Sequence, residues 1–549
     1  MKVAVGKQVL FLAFLLFVSA GAHAAPGYGE PLDVTTGTVY AVSTLAELKN
    51  AVDSANAAGV PATILVADGE YVLDVQTLQL RCPGLIIRGA SGNRDNVIIR
   101  GPDEGTNAAL LHVFYVPTND VTIADMSFGY CRWHGVQVLG HSPYDVSGLR
   151  VHNCRIVNCN EQFIKGTSDP ADPVGATDGI VESCLFEFTS GWAYQYYTGG
   201  IDVHKGVNWV VRDNLFRNIR NNGAGLAEHA VHFWNRCPVL PQNITVERNW
   251  VINCDRGIGF GLGSYDGGHN GGSSVIRNNM VYNNGTGPNT DVCIGLEHAC
   301  DVLVDNNTVY NETYGTPIEY RFSTSSNIVF RNNLVDKAIK NRDSAPPAVM
   351  SNNIESVQAS WFKGLGAGDL RLVYGVTAAI DQGCTVPGFA DDVDGETRPK
   401  LGGWDVGADE YDPATADSDG DTMTDKWEVD RGLNPTNSVG ADGADGNPDG
   451  DPHLNWQEYV ADTHPQDEHD YFCISTTLVD RTNGFIISWP SVSNRVYTMV
   501  TVSNAVYGFT NDPSFTNVPG TGKSMSYTND RPEGSWFYRL IVKLRSRRK

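Results

Sequence analysis

Residues 274–281 read SVIRNNMV, an apolar strand, a pair of asparagines and the start of a second apolar strand, and the same phrase returns along the middle of the chain. It reads WVVRDNLF at 209–216, ITVERNWV at 244–251, VLVDNNTV at 302–309 and IVFRNNLV at 328–335. The second polar residue of each phrase, Asn214, Asn249, Asn279, Asn307 and Asn333, recurs at steps of 35, 30, 28 and 26. Two steps of 30 back from Asn214 reach Cys184 and Cys154 in the same setting. A repeat of this period is a stack of equivalent units rather than one globular core. Each unit has short alternating apolar strands, Gly- and Asn-rich turns and no helix-length apolar period, so the unit is a β-coil. Coils about 4.8 Å apart place equivalent residues above one another, and buried asparagines can then hydrogen-bond along the stack. The fold expected is all-β, a right-handed parallel β-helix.

The rest of the chain fits around that solenoid. Its 549 residues are too many for one ordinary core, but an elongated stack absorbs more than half of them without a domain break. The first residues carry Lys2 and Lys7, then VLFLAFLLFVSA, then Ala22-His23-Ala24, the pattern of a secretory leader spanning 1–24. No other stretch is apolar enough to span a bilayer, so the expectation is a secreted, periplasmic or cell-surface protein, acting as a monomer. A net charge of -23 argues against nucleic acid, whose phosphates need a basic face. Eleven cysteines in an exported chain raise the question of disulfides, but Cys154 and Cys184 sit in the ladder column, and Cys131, Cys159 and Cys254 fall at the far end of the same strand unit. They read mainly as small core residues. Within 39–55, VYAVSTLAELKNAVDSA, Ser43 is the expected N-cap of a short amphipathic helix with Leu45, Leu48 and Val52 on its apolar stripe, closing the open end of the stack. The coils run to about residue 355, and a looser segment closes the domain at DDVDGETRPKLGGWDVGADEY.

These features together, the capping helix before ILVADGEY, the Asn-rich coils and the closing DGETRP…DVGADE, resemble the secreted right-handed β-helix superfamily of carbohydrate-active proteins, which includes pectate lyases and chondroitinase B-like lyases. The resemblance covers residues 38–411. It implies an extended polysaccharide as partner and leaves the reaction open, since the superfamily also holds glycoside hydrolases, epimerases and adhesins.

The chemistry is expected on one outward face. Aligning the second strands on their inward residues gives Ile201-Asp202-Val203-His204, Val231-His232-Phe233-Trp234, Ile258-Gly259-Phe260-Gly261, Ile294-Gly295-Leu296-Glu297 and Ile318-Glu319-Tyr320-Arg321. Because strands alternate faces, two outward columns follow: Asp202, His232, Gly259, Gly295, Glu319, and His204, Trp234, Gly261, Glu297, Arg321. Lys165 is added from the coil before, with its register open. An ordinary exposed face would carry Thr, Ser, Asn and Lys, whereas this one concentrates acids, imidazoles and an indole around glycines. A sugar stacked on Trp234 and lying over Gly259 and Gly261 suits it, with Asn235 and Arg256 as further substrate contacts and the insertions 191–199 and 221–229 as walls.

A lyase cleaving a uronate chain by β-elimination must neutralise the carboxylate, remove the neighbouring proton and protonate the leaving oxygen. Here calcium held by Asp202, Glu297 and Glu319, a base among His204, His232 and Lys165, and Arg321 as electrostatic partner meet that need. A glycoside hydrolase needs two carboxylates about 5 to 9.5 Å apart, which Glu297 and Glu319 on adjacent coils supply. The surplus of imidazoles and cations beside the acids favours the lyase; hydrolysis and non-catalytic glycan binding are the alternatives.

Downstream, DSDGDTMTDKWE places Asp417, Asp419, Asp421, Met423 (through its carbonyl), Asp425 and Glu428 at positions 1, 3, 5, 7, 9 and 12 of a calcium loop. NPDGDPHLNWQE repeats it with Asn447, Asp449, Asp451, His453, Asn455 and Glu458. Glycine falls at position 4 rather than 6, and the segment 412–468 resembles dockerin and thrombospondin type 3 calcium modules. Residues 471–549 read as short strands of a small β-sandwich, resembling domains appended to bacterial secreted enzymes.

Overall fold

The computed structural model describes residues 27–169, 171–235, 241–263, 268–480, 484–502, 510–528 and 537–545. The expected leader lies outside them, as does Cys237. The chain divides into two compact units, the first ending at Tyr411 and the second beginning at Asp412.

The first unit is the β-helix. Three sheets of 12, 11 and 10 strands run along the stack, and the neighbour of each strand is its counterpart in the next coil, always parallel. One coil contributes Val210–Arg212 to the first sheet, Leu215–Arg217 to the second and His229–Trp234 to the third. Only two residues separate the first two strands, and this corner explains the Asn-Asn phrase. The first residue of the pair adopts the left-handed conformation, with φ of 58° at Asp213, 52° at Arg248 and Asn278, 51° at Asn306 and 53° at Asn332, a region short polar side chains enter most readily. The second turns its side chain inward. Asn249 Oδ1 accepts from Asn214 N at 3.1 Å and Nδ2 at 3.0 Å, and the same exchange links Asn249 to Asn279, Asn279 to Asn307, and Asn307 to Asn333. Asn353 adds one more rung after Asn333, within the expected extent of the coils. Upstream, Cys184 N donates to Asn214 Oδ1, and Cys154 N to the Cys184 sulfur. Buried amides with every hydrogen bond satisfied lock the register of each coil.

The first asparagines of the later pairs have a second task. Asn278, Asn306 and Asn332 donate to backbone carbonyls of Asp391, of Asp405 and Gly407, and of Cys384. These bonds dock the closing DGETRP…DVGADE segment along the corners, with Arg398 buried against Glu410 at 2.8 Å.

At the other end the helix Leu45–Ala58 forms with Leu48, Val52 and Ala55 buried. Its N-cap is Thr44, not the expected Ser43. Thr44 Oγ1 accepts from Glu47 N and Glu47 returns the bond to Thr44 N, while Ser43 also binds the Glu47 carboxylate through its N–H and hydroxyl. The reciprocal box with an acid three residues on selects Thr44. Cys131, Cys154, Cys159, Cys184 and Cys254 are buried thiols.

The second unit holds the two acidic loops, the helices Asp425–Arg431 and Asn455–Ala461 that follow them, and two antiparallel sheets forming a small β-sandwich around Ile487, Trp489, Tyr497, Met499, Tyr538 and Leu540. The helix of the second loop packs into that core through Val460 and Ala461. No helix among the described residues is long and apolar enough to cross a membrane.

Candidate functional site

The third sheet carries the outward columns. Its register aligns Gln137 with Lys165, Lys165 with Asp202, Asp202 with His232, His232 with Gly259, Gly259 with Gly295 and Gly295 with Glu319. Lys165 therefore belongs to the first column, one coil from Asp202. In the second, His204 faces Trp234 and Glu297 faces Arg321.

Lys165, Asp202, His204, His232 and Trp234 converge. The Lys165 ammonium donates to Asp202 Oδ2 in a short contact and lies 3.1 Å from His204 Nε2. Trp234 Nε1 donates to Asp202 Oδ1 at 3.0 Å, with His232 Nδ1 at 3.8 Å from the same oxygen. The His204 and Trp234 rings are 4.1 Å apart. Lys165, Asp202 and His232 are 6%, 5% and 2% exposed, so the charges act across a poorly solvated site. Burial alone would push the Asp202 carboxyl up, but Lys165, then His204 and His232, hold it well below the usual carboxylate range. Burial likewise works against the Lys165 charge, and Asp202 overrides it, keeping Lys165 above its ordinary value. At His204 burial wins over Asp202 and pulls the imidazole down, toward its neutral form. His232 Nε2 lies 2.7 Å from Gly261 O. A carbonyl only accepts, so Nε2 carries a proton, and Nδ1 is the nitrogen that is unprotonated in the neutral tautomer.

The glycines do something other than expected. A Cβ at Gly259 would meet the ring of His229 at 2.5 Å, and one at Gly261 would meet Glu297 O at 1.7 Å. The space over Gly259 is taken by His229, whose ring sits 4.4 Å from His232, so the floor is imidazole rather than bare backbone.

Glu297 and Glu319 are separately engaged. Glu297 pairs with Arg321 at 2.6 Å, and Arg321 also binds Asp343; Glu319 takes Arg342 at 2.7 Å and the Tyr314 hydroxyl at 2.9 Å. Arg256 lies 3.5 Å from Glu228 and 3.2 Å from Asp291. Asn235 is buried, its N–H donating to Gly268 O in the coil-to-coil ladder. The two insertions pack together: Gly225 lies against the Tyr196 ring, and Asp255 accepts from Asn221 N and Ala227 N at 3.0 and 2.9 Å.

A third polar row escaped the sequence reading. His112 aligns with His134, Gln162 with Gly199, and His229 with Arg256. Burial depresses His112 to about 4, His134 to about 3, and His229 well below an ordinary imidazole. Strict alternation would turn His229 inward with Val231, but at the small residues Gly200, Ala230 and Gly257 a Cβ on either glycine would lie 2.1 Å from the next coil's carbonyl, and the alternation resets. The small residue immediately before each of the inward Ile201, Val231 and Ile258 was the available signal. Glu228, His229 and His232 offer ligand atoms within 4.8 Å of one another, with the Arg256 guanidinium on the acidic side of the group.

In the second unit, ligand oxygens of Asp417, Asp419 and Asp421 lie within 4.8 Å of one another, as do those of Asp449, Asp451 and Glu458. Asp419 Oδ2, Asp421 Oδ2 and both Glu428 oxygens are buried without hydrogen-bond donors among the described residues, as are Asp449 Oδ2, Asp451 Oδ2 and Glu458 Oε2. Burial and the neighbouring aspartates push Glu428 up to about 9 and Glu458 up to about 8. Converging, undonated carboxylate oxygens fit a hard cation. The position-nine residues also bind within their loops: Asp425 accepts from Ser418 N at 2.7 Å and its hydroxyl at 2.6 Å, and Asn455 Nδ2 donates to the carbonyls of Ala441, Asp442 and Gly443 while its Oδ1 is buried without a donor among the described residues. Asn447 accepts from Gly450 N. The Met423 side chain is buried with Trp427 and Leu433, and the His453 ring stacks on Tyr471. Gly420 and Gly450, at position four, have φ of 81° and 77°, which explains glycine there.

No protein-family model and no curated protein matches this chain. Among solved structures it is similar to an alginate lyase from Paenibacillus sp., with 14% identity over 58% of this chain and 99% of that one, at a TM-score of 0.40. It is also similar to the catalytic domain of a GH87 α-1,3-glucanase (12%, 60% and 67%, 0.39) and to an endo-xylogalacturonan hydrolase from Aspergillus tubingensis (13%, 59% and 97%, 0.33). These three proteins are named for different activities.

Proposed function

We propose that this chain is an exported enzyme that cleaves an acidic, uronate-containing polysaccharide by β-elimination. The observation that carries the reading is the buried Lys165–Asp202 pair with His204, His232 and Trp234 on one outward face, while both carboxylates of the hydrolase alternative are tied to arginines. In this mechanism the sugar stacks on Trp234 and its carboxylate faces Arg256. His232 Nδ1 takes the proton beside the carboxylate, the bond to the leaving oxygen breaks as the ring double bond forms, and the Lys165 ammonium protonates that oxygen. Asp202 keeps Lys165 charged for this step and stabilises the imidazolium formed at His232. An arginine-bound carboxylate is a poor general acid, which weighs against Glu297 and Glu319 as a hydrolytic pair.

Calcium belongs to this proposal in the two loops, held by Asp417, Asp419, Asp421 and Glu428 and by Asn447, Asp449, Asp451 and Glu458. There it supplies charge neutralisation that lets the loops close; no step at the groove passes through it.

The test is the ultraviolet absorbance of unsaturated uronate on a panel of uronate polysaccharides, with reducing ends measured in parallel. Absorbance and reducing ends rising together, and both lost in His232→Ala, is the expected result. Reducing ends without absorbance would replace β-elimination by hydrolysis, and silence in both with retained binding would leave a glycan-binding protein.

A further inference from the structure

The second unit contains a cavity that the reading above leaves unused. It has a volume of about 1240 Å³ and is walled on one side by the helix Asp425–Arg431 and on the other by the sandwich residues Asn494, Asn517 and Arg545. That volume exceeds the range of about 300–1,000 Å³ in which single small ligands are held, so it admits several linked sugar rings. Trp427 and Tyr459 line it, their rings 5.3 Å apart and edge to face, with the Arg431 guanidinium 5.8 Å from the Trp427 ring. The Trp427 side chain is 7% exposed, so the part of its ring that lines the cavity is held firmly by its packing.

The charge of the cavity runs against that of the chain. Lys426, Arg431, Arg495 and Arg545 line it against Asp430 and Asp462, a local excess of cations in a protein of net charge -23. Lys426 is paired with Asp430 at 2.9 Å and Arg431 with Asp462 at 3.2 Å. Arg495 spends its guanidinium on the carbonyls of Tyr459 and Val460. Arg545 is exposed and has no ion-pair partner among the described residues. Aromatic rings, exposed amides and one uncommitted guanidinium are the chemistry of a site for an acidic carbohydrate.

The walls are set by the acidic loops. The helix that carries Lys426, Trp427 and Arg431 begins at position nine of the first loop, and Tyr459 sits one residue after Glu458, the last acid of the second. We infer that this cavity is a second binding site for acidic oligosaccharide, separate from the groove and formed only when the acidic loops hold their cations. The choice of a carbohydrate over another anion rests on the reading of the β-helix face; the site itself does not.

The test is calorimetric titration of the full chain, in a His232→Ala background that prevents turnover, with a defined uronate oligosaccharide in calcium. Lys426→Glu combined with Arg545→Glu reverses two exposed charges without touching the core. The expected result is loss of one binding event, weakened about tenfold or more, as for removal of charge-assisted hydrogen bonds. Chelation of calcium abolishes it. Turnover of a short oligosaccharide by the charge-reversed chain with His232 intact is unchanged. Binding that survives both charge reversal and chelation overturns the inference, even if turnover is found. Binding lost on charge reversal in a chain that cleaves nothing sustains the inference and rejects the lyase reading.

Discussion

Replacing Lys165 by Met is the sharpest probe of the groove, because it removes one charge and leaves its partner buried. Asp202 is 5% exposed and would keep only the Trp234 indole N–H, at 3.0 Å, with imidazole nitrogens at 3.6 and 3.8 Å. Breaking such a pair from one side costs about 3–5 kcal/mol, whereas replacing both partners by neutral groups is often close to neutral. Lys165→Met alone should therefore destabilise the β-helix by about 3–5 kcal/mol, and Lys165→Met with Asp202→Asn should recover most of that. The loss should also depend on pH. In the parent the ammonium is one of the groups that keep His204 neutral. Without it, protonated His204 can take its place beside Asp202, so the single variant should lose less at about pH 5.5 than at about pH 8. The assay is urea unfolding read by hydrogen exchange in the strands Gly199–His204 and His229–Trp234, which excludes the second unit. A single-variant cost below about 1 kcal/mol, the range of exposed pairs, would refute the reasoning. So would a double variant no more stable than the single one.

Other outcomes follow from the same structure. Asn279→Ala removes an amide that accepts from Asn249 N and Nδ2 and donates to Val246 O, Arg277 O and Asn307 Oδ1. It strands several buried groups at about 1–3 kcal/mol each, and urea unfolding should show a loss of at least about 3 kcal/mol. His112, His134 and His269, depressed by burial to about 4, 3 and 3, stay neutral in the fold while the unfolded chain begins to protonate near 6.5. Their stabilising share is complete above that value and is lost as pH falls through it toward 3, by up to about 1.4 kcal/mol per pH unit for each; His134→Gln should flatten that acid slope in unfolding measured from pH 7 to 4. Calcium at a thousandfold excess over its Kd should stabilise the second unit by about 4 kcal/mol per site. Glu428→Gln should remove one site in a calcium titration, whereas Asp425→Asn, which perturbs a bond to Ser418, should weaken binding without removing it.

The winding was legible because one asparagine per coil must satisfy the backbone of the next, which forces a repeated phrase. The alignment of Asp202 with His232 and of His204 with Trp234 was legible because alternation holds from the inward Ile or Val onward. Upstream of that residue it fails: the chain turns at Gly200, Ala230 and Gly257, so His229 could not be placed by counting. Nor could counting show that Asp343 and Arg342 reach back to Arg321 and Glu319, since those partners come from another coil and from a corner. In the second unit the spacing located the acidic loops but not the bond of Asp425 to Ser418, which requires the loop to be already closed.

On the third sheet, order along the polypeptide is also order in space. Each coil advances the face by one strand spacing, so on the proposed function residue number serves as a position along the polymer: Gln137, Lys165, Asp202, His232, Gly259, Gly295 and Glu319 are successive marks on one scale. A filament lying in the groove has its two ends distinguished by the amino- and carboxy-terminal directions of the protein. Substitutions of rising number should therefore shift recognition from one end of the filament toward the other, and the lengths of the released fragments would record which mark was altered.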